Sequence, residues 1–372
     1  MSEVTDARAT VARRTQKPLL TAIDLFCGAG GMSVGLANAN FSVIGAVDIE
    51  PLAIEAYQAN HPDVRVWEQD IRTLEPLGMA DELGLKVGQL DLLAGCPPCQ
   101  GFSTVKTRRQ TTSVKDPRNS LVSQFGRFAE ALLPKALLME NVPALGRDIR
   151  FGRLRARLER LGYGCAYGIL DAADFGVPQR RRRLVMLALH GGRIGLVERT
   201  ELAQSVRDAI GGLPVPDNSS DALHNHGESR SIKIQRRIEQ VPRDGGSFRL
   251  LGEDAQLACH QRTEDRPNPG FFDIYGRMSW DDPAPTLTGG CINPSKGRFL
   301  HPEQNRAITL REAALLQGFP PDYRFPLSRG KYRAAELIGN ALPPGFVQSQ
   351  AEVIAVALTT AANKSVSDRG AE

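Results

Sequence analysis

No stretch of this 372-residue chain stays apolar for anything near the ~20 residues that a bilayer-spanning helix needs. Met1 to Lys17 is polar where a secretory leader would carry an apolar core, so the expectation is a cytoplasmic protein with no membrane partner and a disordered tail over residues 1–17. Cysteine is scarce. The six present are scattered singly or in one close pair, which excludes a disulfide framework and agrees with a reducing compartment. A strong charge of one sign is also missing: the formal net charge is +4, with arginine far outnumbering lysine. So mild an excess permits a polyanionic partner without demanding one. Cys96-Pro-Pro-Cys99 has the spacing of half a zinc site, yet no second Cys-x-x-Cys and no paired histidine motif exists, so no metal is expected.

Gly-x-Gly-x-x-Gly is absent too. After the strand Leu19 to Leu25 the turn reads Asp24-Leu-Phe26-Cys-Gly28-Ala-Gly30-Gly31, and Ser33 stands where the third glycine would fall, which disfavours a dinucleotide cradle. What remains is a strand, a glycine turn and helical character from Met32 to Asn40, which lets backbone N–H groups approach a ligand at a helix N-terminus. A second strand, Ser42 to Val47, ends in Asp48-Ile49-Glu50, about 20 residues beyond the turn, where an acid commonly meets a ribose hydroxyl. A helix, Leu52 to Asn60, and a short strand, Val64 to Trp67, lead to Asp70-Ile71. Acids ending successive strands suit a nucleoside site, although each alone also reads as a solvated carboxylate.

The chain is organised around Leu92 to Ser103. Leu90 to Ala94 reads as a strand covered on both faces, and Gly95 with two prolines stops it, leaving Cys99 on a tight turn at the strand end. Ligands of open α/β sheets bind outside such ends, so Cys99 reads as a nucleophile, which needs a cationic or dipolar neighbour to become thiolate. A small buried hydrophobe and half of a redox dithiol are the alternatives. The strand Ala136 to Met139 ends at Glu140, and four arginines precede the strand Leu184 to Leu189. Strand alternation points Arg181 and Arg183 inward and Arg180 and Arg182 outward. Thr104 to Asn119 carries Lys106, Arg108, Arg109, Lys115 and Arg118 against one acid, a basic loop suited to phosphates. Leu196 to Arg277 shows no strong periodicity.

Six segments occur in an order that resembles DNA cytosine-5 methyltransferases: Asp24-x-Phe26-x-Gly28-x-Gly30, Gly95-x-Pro-Pro-Cys99-Gln-Gly-Phe-Ser103, Glu140-Asn-Val142, Gln179-x-Arg181-x-Arg183, Arg311-Glu-Ala-Ala-x-Leu-Gln-Gly-Phe-Pro320 and Gly339-Asn-Ala-Leu-Pro-Pro344. The resemblance runs from Thr21 to about Ala357, apart from roughly Leu196 to Arg277. It implies an α/β fold, a Rossmann-like S-adenosylmethionine-dependent methyltransferase sheet with a smaller, loop-rich target-recognition domain. The implied division is 18–195 catalytic, 196–330 recognition, 331–360 a return to the catalytic domain, and 361–372 a disordered tail.

By that resemblance Cys99 attacks cytosine C6, Glu140 serves N3 and the exocyclic amine, Arg181 binds O2 and lowers the Cys99 pKa, and Arg183 supports it. Cys96 falls at a position the family leaves variable and is assigned to packing. The methyl donor implied is S-adenosyl-L-methionine, leaving as S-adenosyl-L-homocysteine, held by Asp24, Phe26, Gly28, Gly30, Gly31, Asp48, Ile49, Asp70, Ile71, Pro98 and Asn340. Double-stranded DNA is the implied partner, met by Ser103, Lys106, Arg108, Arg109, Gln179, Arg230, Arg236 and Arg237 on a monomer that associates with the nucleoid only through DNA. A cognate restriction endonuclease fits the same picture. Three rivals stand beside it: an RNA methyltransferase of the tRNA-acting branch, which lacks so long a recognition stretch, a silent DNA-binding module, and a dithiol oxidoreductase.

Overall fold

Strands that are apolar on both faces need cover on both faces, and the architecture follows from that demand. The computed structural model describes residues 20–98, 121–197, 199, 202–225, 230–247, 250 and 273–369, with backbone alone over 362–369. In chain order the elements are β1 Leu20–Leu25, α1 Gly31–Asn38, β2 Phe41–Asp48, α2 Pro51–Asn60, β3 Arg65–Glu68, α3 Pro76–Glu82 and β4 Leu92–Gly95. Then come α4 Leu121–Leu132, β5 Ala136–Asn141, α5 Ile149–Arg160, β6 Tyr163–Asp171 and β7 Arg182–His190. The rest is helical among the described residues: α6 Val206–Ile210, α7 Ile232–Gln240, α8 Leu310–Leu316, α9 Lys331–Asn340 and α10 Pro344–Arg369.

The strands form one sheet in the order β3-β2-β1-β4-β5-β7-β6. β1 to β5 pair in parallel, while β7 runs antiparallel to both β5 and β6. Two consequences fix the site. The sheet order reverses between β1 and β4, and ligands lodge at such a switch point. Because β7 runs backwards, its start lies at the edge where the parallel strands finish, so Arg181 to Arg183 arrive beside Glu140.

Successive residues of each strand supply opposite faces. Ile23, Leu25, Leu93, Leu137 and Met139 pack with Phe125 and Phe128 of α4 and Phe151 of α5. Ala22, Leu92, Ala94 and Leu138 pack with Leu36 of α1 and with Phe346, Val347 and Ile354 of α10. Each of those buried phenyl rings contributes about 2–3 kcal/mol by leaving water.

A further core joins Met278, Trp280, Leu287, Ile308 and Leu310 to Ala334, Ala335 and Ile338 of α9, and it reaches Ala29 and Val34 beside the glycine turn. Its α8 starts with a reciprocal cap, Thr309 and Glu312 each accepting the other's backbone N–H. Arg277 to Thr288 and Pro302 to Pro320 supply much of this core. α9 buries in this core and α10 packs on α1. α10 also continues to Arg369 rather than giving way to a disordered tail from 361. Its last turns hold neither glycine nor proline before Gly370, so nothing local stops the helix.

Among the described residues no helix is long and apolar enough to cross a membrane, and no three of His, Cys, Asp and Glu gather as metal ligands would. The expected tail 1–17 lies outside the described residues.

Candidate active site

The turn after β1 is shaped by two tight approaches. A Cβ on Gly30, whose φ is 94°, would stand 2.6 Å from Tyr323 Oη and 2.7 Å from His61 Nε2, and one on Gly31 would stand 2.2 Å from Leu342 O. Only glycine lets the C-terminal half of the chain close on this turn. Phe26 adopts φ 62°, a left-handed conformation costly for an aromatic residue and held only because its surroundings determine it. Asp48, at the end of β2, pins the turn: Oδ2 accepts from Gly28 N at 2.9 Å and Oδ1 from Glu50 N at 2.9 Å. Burial nevertheless raises the Asp48 carboxyl above its ordinary range.

A cavity of about 1250 Å³ opens from this turn and runs to the ends of β4 and β5. Phe26, Gly28, Gly31, Asp48, Ile49, Asp70, Ile71, Pro98 and Asn340 of the expected cofactor set line it, as do Glu140, Arg181 and Arg183. Asp24 and Gly30 do not. Asp24 is fully buried beneath the turn, its Oδ2 accepting from Ser33 Oγ at 2.7 Å, and burial pushes its carboxyl up to about 7. Gly30 faces Tyr323 and His61 instead of the cavity. Asp24 thus supports the turn from beneath, and Gly30 lets Tyr323 and His61 close on it. On the rim, Arg72 pairs with Asp70 and holds that carboxyl below its ordinary range.

At the far end the register does the positioning. Gly95 of β4 pairs with Met139 of β5, so Cys96 comes level with Glu140. Glu140 pairs with Val185 of β7, and Arg183, two residues earlier, lies on the same face as its diagonal neighbour. Arg183 Nε stands 2.8 Å from Glu140 Oε1, and Cys96 Sγ donates to Oε2 at 2.6 Å. Burial, followed by the charge of Glu140, holds the Cys96 thiol well above its ordinary range, so it stays protonated and unreactive at neutral pH.

Arg181 is buried, its Nη1 donating to Leu287 O at 2.9 Å and Nη2 to Gly339 O at 3.1 Å. Its Nε, also buried, has no hydrogen-bond partner among the described residues. Burial, then the charge of Arg183, lowers this guanidinium to about 9. Arg180 and Arg182 are exposed, as strand alternation requires.

Sequence reasoning passed over two residues here. Asn141 Nδ2 donates to Pro97 O at 2.8 Å and so ties the proline turn to β5; its place inside Glu140-Asn-Val142 was the available signal. Cys96 was set aside as packing. Cys99 itself, with Ser103, Lys106, Arg108 and Arg109, lies outside the described residues.

The expected DNA contacts divide. Gln179 is fully buried: its Oε1 accepts from Leu287 N at 3.0 Å and its Nε2 donates to Leu316 O at 3.3 Å and to Gln317 Oε1. It stitches the sheet to the second core and cannot meet DNA, so that expectation is corrected. Arg236 is exposed on α7, Arg237 lies over the Tyr275 ring at 5.2 Å, and Arg230 donates to Ile292 O at 3.3 Å.

Against known proteins, residues 20–355 match the family model described as C-5 cytosine-specific DNA methylase. The Type II methylase M.HgiDII of Herpetosiphon aurantiacus is 36% identical, over 86% of this chain and 91% of its own length. The Type II methyltransferase M.AgeI of Thalassovita gelatinovora is 32% identical, over 91% of this chain and 99% of its own. Among solved structures, a prophage-encoded E. coli protein described as a DNA modification methyltransferase superposes with a TM-score of 0.66 at 24% identity, covering 91% of this chain and 99% of that one. That last likeness speaks for the fold, and the first three for descent. The chain belongs to the C-5 cytosine-specific DNA methylase family and is a DNA (cytosine-5)-methyltransferase.

Proposed function

We propose that the protein methylates a cytosine swung out of a specific double-stranded DNA sequence, using S-adenosyl-L-methionine and a transient bond between Cys99 Sγ and cytosine C6. One observation carries this reading: a single cavity joins the glycine turn to the Glu140–Arg183 pair. Pockets for one small ligand reach about 1,000 Å³, so a space of about 1250 Å³ suits a nucleoside donor and a base side by side.

The donor fits the residues present. A Cβ built on Gly28 meets nothing within 4 Å, so the turn leaves a cradle there. Asp48, though it holds two backbone N–H groups, keeps lone pairs for ribose hydroxyls. Ile49 and Ile71 offer apolar walls for an adenine, Asp70 an acceptor for its amine, and Asn340 and Pro98 the remaining boundary. When bound, S-adenosyl-L-methionine supplies a methyl group on a positively charged sulfur and leaves as S-adenosyl-L-homocysteine.

Cytosine C5 is a weak nucleophile, and this chain's residues are suited to change that. The Cys99 thiolate adds to C6, forming a C–S bond and moving the double-bond electrons so that C5 becomes enamine-like. Density also collects on the ring's N3 and O2. Glu140 donates a proton to N3 and accepts from the exocyclic amine, and Arg181 Nε, which has no hydrogen-bond partner among the described residues, donates to O2, each strongest when charge has developed. Once C5 is methylated its proton passes to a water molecule, the freed electrons re-form the C5–C6 double bond, the C–S bond breaks and the thiolate returns. The Arg181 and Arg183 charges favour the thiolate at Cys99.

Glu140 is 3% exposed along its side chain, a depth that a base stacked in a duplex cannot reach, so the target must leave the helix. Ser103, Lys106, Arg108 and Arg109 are proposed to hold it there, and Arg230, Arg236 and Arg237 to meet the flanking DNA. M.HgiDII and M.AgeI carry Type II names, and by extension we assign this chain a cognate restriction endonuclease as partner.

The test is incubation with tritiated S-adenosyl-L-methionine and either plasmid DNA or tRNA, expecting label in DNA alone. Cys99→Ser should lose turnover yet still bind the donor, and DNA carrying 5-fluorocytosine should trap a covalent adduct, because release needs the C5 proton. Label in tRNA alone, or an active Cys99→Ser protein, overturns the reading.

A further inference from the structure

We infer that Cys96 is a positioning residue: its thiol holds the Glu140 carboxylate in the one orientation it offers to the base, an inference that rests on the methylation reading above. The case begins with the fold. Adjacent parallel strands β4 and β5 end in register, so Cys96 and Glu140 are side by side although 44 residues separate them. Their contact is Sγ to Oε2 at 2.6 Å, and the second carboxylate oxygen faces Arg183 Nε at 2.8 Å. The carboxylate thus meets a different strand at each oxygen, through a hydrogen bond from Cys96 and through the charge of Arg183, whose Nε makes no hydrogen bond to Oε1 among the described residues, and both neighbours line the same cavity as the glycine turn.

The chemistry explains why two grips are needed. An arginine and a carboxylate left to themselves close into a forked pair, two parallel N–H···O bonds that occupy both oxygens. Arg183 reaches Oε1 with Nε, and its guanidinium has further N–H groups to complete such a fork. Cys96 competes for Oε2 with a single S–H donor, a weak one that leaves that oxygen's remaining lone pair open. The carboxyl group is then held edge-on between the strands, with a lone pair left for the exocyclic amine. Without the thiol, Glu140 turns toward Arg183 and presents less to the base.

Burial and the negative charge beside it keep Cys96 as a thiol, which is the state a donor requires and a nucleophile does not. The sequence expectation of mere packing is therefore replaced by a role carried through Glu140. Cys96 has no part in bond making, and the assignment of Cys99 as nucleophile is untouched.

The full-length protein tests this with Cys96→Ala, Cys96→Ser and Cys99→Ser, assayed on duplex DNA. Losing a hydrogen bond to a charged group lowers kcat about 10- to 100-fold in Cys96→Ala, with KM for S-adenosyl-L-methionine unchanged. Cys96→Ser, which keeps a donor, recovers kcat to within about threefold of the parent. Should Cys96→Ala fail to fold, Cys96→Val fills the volume without donating and takes its place. The inference is overturned if the non-donating variant keeps the parent's kcat, or if serine is as impaired as alanine, either of which leaves only a packing role. An active Cys99→Ser protein instead sinks the methylation reading, so the two failures are distinguishable.

Discussion

Two buried arginines, one at the sheet edge and one in the second core, divide structure from function. Arg277 is fully buried and spends all five of its N–H groups: on Val241 O, on His301 O and Gln304 O, and on Ile238 O and Asn305 Oδ1, at 2.6–3.0 Å. No carboxylate is among those partners. Arg181 is equally hidden but makes two bonds to carbonyls and leaves Nε unpartnered at the cavity. A saturated guanidinium is scaffold, since nothing remains with which to recognise a ligand. An unsaturated one in a cavity wall pays a desolvation penalty that only an incoming acceptor relieves.

The strongest test of this contrast is Arg277→Ala. Five acceptors lose their donor together, and a loss of about 3–5 kcal/mol in unfolding free energy is expected by urea denaturation. Lysine should not rescue it, because one ammonium cannot reach five acceptors spread over two segments.

Arg181→Ala should behave the other way round. With folded protein held equal, kcat/KM on DNA should fall about 100- to 1000-fold, in line with the loss of one preorganised donor to a developing charge. An Arg181→Ala protein that is mainly unstable and turns over normally when folded would dissolve the distinction.

A third test asks about an unpartnered atom that does not face the cavity. Asp24 Oδ1 is buried without a partner, and burial raises this carboxyl to about 7. A raised carboxyl binds its proton more tightly in the folded state, so the stability it contributes is full below about pH 4, its unfolded value, and is lost as pH rises through about 7. Asp24→Asn should flatten that fall, a difference on the order of 2 kcal/mol between pH 4 and pH 8 in urea titrations. A parent protein whose stability rises over the same window contradicts it.

The smallest effect expected is at the surface. Arg236 is exposed on α7, and Arg236→Ala should weaken DNA binding a few-fold and reduce the salt slope by about 1, whatever the sequence. Filter binding at several salt concentrations reads both.

Much of the site was legible because it lies where strands stop. Asp48 and Glu140 end apolar runs, and the inward pair Arg181 and Arg183 follows from a two-residue period alone. The paired register was harder to read, because which strands lie side by side is a long-range property. Nothing local in Cys96 announces a glutamate 44 residues away. Gln179 misled for the same reason: a polar residue beside four arginines looks solvated until Leu287 and Gln317 close over it. α7 escaped notice because its apolar face is short, only Ile238 being fully buried among polar neighbours. The continuation of α10 needed the opposite inference, that a polar alanine-containing run without glycine or proline carries on as helix.

Tyr323 Oη donates to Ala29 O, and Leu342 and Pro344 press on the glycines of α1 and its turn. During synthesis the first strand and its turn emerge hundreds of residues before these closing partners, at about 5–20 residues per second. A ribosome must therefore travel past Pro344 before the donor cradle can set, so a translation product arrested earlier carries the glycine turn and still lacks a completed binding site.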